Sequence, residues 1–111
     1  MARSTRMIFR NMQGRTRHNH NWDAISQETA VVMTAAMWQF SGGISGATGR
    51  PVLGAPGQEP NVYVTNVGPH GTPGGEAGGV EFLLHTESSA PVDVLITITV
   101  FDPVEDLQIF D

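Results

Sequence analysis

Residues 92–101, VDVLITITVF, alternate without a break. Val92, Val94, Ile96, Ile98 and Val100 fall on one face, and Asp93, Leu95, Thr97, Thr99 and Phe101 on the other. A period of two with this much β-branching specifies a strand. The first face belongs to a core, and the mixed second face to a sheet surface that is partly covered and partly wet. Pro103 ends the strand because it has no N–H for a ladder. One strand cannot hide its own apolar face, so the rest of the chain must supply further layers.

Residues 80–87, VEFLLHTE, repeat the pattern, with Val80, Phe82 and Leu84 inward and Glu81, Leu83, His85 and Glu87 outward. The linker SSAP between the two strands predicts an antiparallel hairpin with a four-residue loop. NVYVTNV, 61–67, predicts another strand, and residues 51–53 and LQIF at 107–110 predict two short ones. RSTRMIF near the N-terminus reads as an edge strand, with Met7 and Phe9 on one face.

Residues 24–40, AISQETAVVMTAAMWQF, satisfy two templates. Ile25, Thr29, Val32, Met33, Ala36, Met37 and Phe40 have helical spacing, with Asp23 or Ser26 to cap the start and Gly42-Gly43 to end it. The strand template puts Ala30, Val32, Thr34, Ala36, Trp38 and Phe40 opposite Val31, Met33, Ala35 and Met37. Because the other elements are β, a strand of about a dozen residues is the preferred reading. The expected fold is an all-β, small antiparallel sandwich, jelly-roll-like, with long Gly/Pro-rich loops. The alternative is α+β with one helix at about 24–38. Twelve of the 13 glycines and five of the seven prolines lie between 41 and 79, where the loops are expected.

Charge is segregated along the chain. Arg3, Arg6, Arg10, Arg15 and Arg17 give residues 1–22 a charge of +5 with no acid, whereas 23–111 hold all 11 acids and only Arg50. This predicts a basic N-terminal arm, 1–22, ahead of a single domain, 23–111. Such an arm reaches nucleic acid, or the acidic surface of its own or a neighbouring body. Asp102, Glu105, Asp106 and Asp111 are the candidate receivers. The acidic body disfavours a polyanionic partner, so the expected partner is another copy of the chain. Virion, tail and shell components are built on this plan, an analogy of architecture only.

Catalytic and metal chemistry find little to stand on. TRHNHNW, 16–22, places His18 and His20 on one side of an extended segment, a common metal half-site that His70, His85 or Glu81 would complete. The competing reading is a set of polar surface histidines. GPHGTPGGEAGG has no phosphate-loop pattern and the chain has no lysine. GGISGATG misses a nucleophile elbow because Ala47 stands where the last glycine belongs. Cysteine is absent, which removes disulfides and thiolate sites. No enzyme activity and no cofactor are expected. No apolar run is long enough for a membrane helix, and the N-terminus lacks the apolar stretch of a secretory signal, so cytoplasmic synthesis is expected.

Overall fold

A computed structural model describes residues 2–43, 48–73 and 75–111. Among the described residues seven strands follow one another: β1 (Arg3–Met12), β2 (Gly14–Asn21), β3 (Thr29–Gly42), β4 (Thr48–Val52), β5 (Asn61–His70), β6 (Gly79–Glu87) and β7 (Val92–Pro103). Sheet one has the order β1-β7-β3-β4 and sheet two the order β2-β6-β5. Every pairing is antiparallel. The all-β sandwich expected from alternation is the fold observed, and residues 24–40 contain a strand rather than a helix.

The core forms where the two inner faces meet. Val80, Phe82 and Leu84 of β6 face Val94, Ile96, Ile98 and Val100 of β7, all of them buried. Ile25 joins them from the β2–β3 connection. Register carries the inner face across sheet one, with Met7 and Phe9 beside Ile96 and Val94, and Met33 and Ala35 beside Ile98 and Ile96. The shortest dimension of the molecule is 21 Å. Two sheets about 10 Å apart, with outward side chains on each, fill that thickness.

Three expectations change. β6 and β7 are not a hairpin: they lie in opposite sheets, and SSAP is the corner between them. Each strand has a continuous apolar face, and the two faces are buried here against each other across the sandwich. Residues 1–22 are not an arm, because Arg3–Met12 and Gly14–Asn21 are strands β1 and β2, one in each sheet. LQIF, 107–110, is not a strand and has no ladder partner. Among the described residues no helix is long and apolar enough to cross a membrane.

Two asparagines make the register possible. β1 bulges between Phe9 and Met12, where Asn11 adopts a φ of 57°, and β5 bulges between Thr65 and Gly68, where Asn66 adopts 55°. Asparagine tolerates the left-handed region better than other side-chain-bearing residues. The Asn11 N–H donates to Asp93 Oδ1 at 3.1 Å, so a carboxylate on the neighbouring strand secures the first bulge.

Candidate functional site

The strand period distributes the basic residues over three surfaces. Arg6 and Arg10 share the outer face of sheet one, where Arg6 Nε donates to Thr97 Oγ1 at 3.2 Å and the Arg10 guanidinium lies 4.4 Å from the Phe40 ring centroid. Arg15 and Arg17 stand on the outer face of sheet two, and Arg17 pairs with Glu81 at 3.2 Å. Arg3, in register with Val100, sits at the rim of the inner face, its guanidinium 5.4 Å from the Trp22 ring centroid. The five arginines therefore do not make one contact surface. The body whose acids they were expected to meet is, for Arg17, their own.

The histidines do not converge. Among the described residues no group of three or more His, Cys, Asp or Glu side chains is placed to hold a metal ion. His18 and His20 do share a face, but it is the core side of β2. The His18 ring packs 4.5 Å from Phe9 and 5.5 Å from Phe82, and its Nε2 hydrogen-bonds with Thr16 Oγ1 at 2.6 Å. Burial there holds its pKa below the ordinary 6.5. His20 lies edge-on to Trp22. On the opposite face, His85 stacks flat on Tyr63 at 4.5 Å and bonds Thr65 Oγ1, while His70 bonds Asn19 Oδ1. Glu81, the other suggested ligand, is engaged by Arg17. Sheet two itself lies between the two pairs, because His18 and His20 sit on its core face and His70 and His85 on its outer face. The near-elbow GGISGATG falls largely on residues 44–47, outside the described residues.

The outer face of sheet one is more apolar than a solvated face requires. Leu95 is only 4% exposed although it points away from the core. Ile8 and Ala36 flank it in register. Trp38 and Phe40 meet edge-to-face at 6.0 Å beside it. Trp38 lies over Gly49, where an added Cβ would come within 2.7 Å of its ring. The Trp38 Nε1–H is buried with no hydrogen-bond partner among the described residues.

The two sheets also differ in width. β1 covers β2 through the Phe9–His18 contact, the core joins β7 to β6, and β3 packs on β5. β4, the fourth strand of sheet one, has no counterpart in sheet two. Its overhang leaves a groove beside the free edge of β5. The groove encloses about 430 Å³ and is lined by Ala35, Met37, Val52, Leu53, Val62 and Tyr63, among others. By register Val52 and Arg50 of β4 share a face with Met37 and Gln39 of β3, so Arg50 belongs to the same overhanging shelf.

The C-terminal segment is the counterpart of this groove. It leaves β7 after Pro103, where the Val104 N–H donates to the Glu28 carbonyl at 2.9 Å. Beyond that point Leu107 is 80% exposed, Ile109 82% and Phe110 86%. Three of the suggested receivers, Glu105, Asp106 and Asp111, lie on this segment and are exposed, and Asp102 stands just before it at the end of β7. The radius of gyration is 15.8 Å. A compact domain of this length has about 13 Å, so the chain carries material outside its packed body. Sequence reading singled out LQIF as a short strand. Comparison with protein-family models, curated proteins and solved structures finds no match for the chain.

Proposed function

We propose that this chain is a non-enzymatic structural protein, a β-sandwich that assembles with copies of itself. The observation that carries the reading is the C-terminal segment. Three large apolar side chains within four residues are each at least 80% exposed. Fully burying one such side chain is worth roughly 1.5–3 kcal/mol, so leaving all three in water forgoes a sizeable part of a typical domain's stability. A partner surface recovers it. The partly exposed apolar side chains Ile8, Trp38 and Phe40 on the outer face of sheet one add to the area that contact with another chain would cover.

The assembly expected from an arginine arm is thereby reassigned. The arginines are spread over three surfaces, while the acids Glu105, Asp106 and Asp111 travel with the exposed apolar segment. Nucleic-acid binding loses support for the same reason, since a phosphate backbone needs its cations on one stripe. Light scattering coupled to size exclusion, run across a wide concentration series, tests the reading. The expected result is a mass that rises above the monomer's 11.9 kDa with concentration. A monomer at every concentration would overturn it.

A further inference from the structure

The geometry points to where the copies meet: residues 104–111 of one copy lie as an added strand along the free edge of β5 in a second copy, beneath the β4 overhang. This inference rests on the self-assembly reading and names its surface and its occupant.

Four observations favour that occupant. The first is strand count. Sheet one has four strands and sheet two has three, and the missing position is the one next to β5. An unpaired edge offers a row of N–H and C=O groups that an extended segment satisfies. The second is pattern. In an extended segment Leu107 and Ile109 share a face, opposite Gln108 and Phe110. Leu107 and Ile109 can then face the apolar wall made by Met37, Val52 and Val62. The third is charge. Residues 104–111 carry three acids and no cation, and the shelf above the groove carries Arg50, which has no ion-pair partner among the described residues.

The fourth observation is distance, and it selects a second copy over the segment's own body. The segment starts at Pro103, opposite Thr29, and the groove opens beside Met37, eight residues further along β3. Eight strand residues span about 26 Å. Residues 104–111 are themselves eight and reach about the same distance when fully extended. A segment folding back would start beside the Gly71 end of its own β5, where the Gln27 N–H donates to the Gly71 carbonyl, and only its last residue would come level with Met37, so Leu107 and Ile109 would stop short of the Met37 and Val52 wall. A neighbouring copy has no such constraint.

The contact is heterologous, with the segment of one copy in the groove of the next, so it can be tested by complementation. One full-length variant carries Leu107→Glu and Ile109→Glu, which removes the donor and keeps the groove. The other carries Leu53→Glu, which puts a repelling acid on the groove wall and keeps the donor. Leu53 is 82% exposed and Leu107 and Ile109 are similarly exposed, so none of these changes touches the core. Light scattering should find each variant monomeric where the unsubstituted chain associates. An equimolar mixture should give a one-to-one heterodimer, since one intact segment and one intact groove remain. Amide hydrogen exchange over residues 61–70 should slow at least tenfold in the associated chain relative to either variant, while exchange over β2 stays unchanged. Association of the unsubstituted chain with no loss in the variants, with no heterodimer in the mixture or with no protection of β5 would overturn the docking geometry and leave self-assembly standing. An unsubstituted chain that never associates would overturn both.

Discussion

Thr86 has the one inner-face polar side chain of β6, and replacing it with valine should stabilise the fold. Its residue exposure is 1%, and its Oγ1 is buried without a hydrogen-bond partner among the described residues. It lies between Val62 of β5 and Gly14 of β2, in line with Val80, Phe82 and Leu84. A buried hydroxyl with no partner costs about 1–3 kcal/mol. Valine keeps the branched outline and the strand preference while removing the polar atom. Thr86→Val should therefore gain about 1–2 kcal/mol, or a Tm rise of roughly 4–8 °C for a domain near this size. Thr86→Ser is the control of opposite sign. It keeps the hydroxyl, deletes a buried methyl and should lose about 1 kcal/mol. Both would be read by circular dichroism in thermal and denaturant unfolding, at one fixed protein concentration because association itself shifts Tm. A valine variant less stable than the parent would refute the reasoning, because it would mean that the hydroxyl is paired in the folded state.

Two further outcomes test the frame around the core. At Gly78 an added Cβ would collide with the Ile25 carbonyl, and the Gly78 carbonyl accepts from the Trp22 N–H at 2.9 Å, so Gly78→Ala should lower Tm well beyond Gly68→Ala, where the nearest atom is the Glu81 carbonyl oxygen at an ordinary 3.8 Å; equal losses in a thermal melt would mean Gly78 is not packed against Ile25 as described. His18 has a folded pKa below its unfolded 6.5, because burial against Phe9 and Phe82 disfavours the charged ring. Its contribution is complete above pH 6.5 and falls as pH drops from there toward the folded value, since the unfolded state takes up the proton first. The Tm loss between pH 7.5 and pH 5.5 should accordingly be smaller in His18→Phe than in the parent, and equal losses would acquit this histidine.

Alternation made most of the fold legible. The faces of β7 and β6, and the edge position of β1 with Met7 and Phe9 turned inward, follow from a period of two and are observed. For residues 30–40 the two-faced strand template prevailed because tertiary burial on both sides outweighs local helix preference. Its inner face is Val31, Met33, Ala35 and Met37, and Trp38 and Phe40 line the outer one. What alternation cannot encode is which sheet a strand joins. Ser88–Pro91 reads as a hairpin loop and is a corner, because stacking and side-by-side pairing bury the same residues. The bulges at Asn11 and Asn66 were equally hidden, since one asparagine in a polar stretch looks like any other. The histidines failed as a cluster for a related reason. His18 and His20 share a face with each other, but parity within β2 says nothing about His70 and His85 on different strands.

The charge run misled because a linear count ignores the pleat. Arg15 and Arg17 share the outer face of sheet two with Glu81 and Glu87, and Arg17 pairs with Glu81, so the signs interleave once the chain folds. What survives is the net charge of −5 on every copy, and it makes a prediction that separates an apolar contact from a charged one. Two such copies with centres about 30 Å apart repel by roughly 3.5 kcal/mol in water without screening. At 10 mM salt the Debye length is about 30 Å and around 1.3 kcal/mol of that remains; at 150 mM it is about 8 Å and less than about 0.1 kcal/mol remains. Pairing of Arg50 with the acids of residues 104–111 pulls the other way, but an exposed pair contributes only about 0–1 kcal/mol and is screened as well. Repulsion between whole copies is the larger quantity. Raising salt from 10 to 150 mM should then strengthen self-association roughly fivefold, read as a lower dissociation constant by sedimentation equilibrium. Association that weakens as salt rises would show that ion pairs hold the copies together, and the burial of Leu107 and Ile109 would lose its place as the driving force.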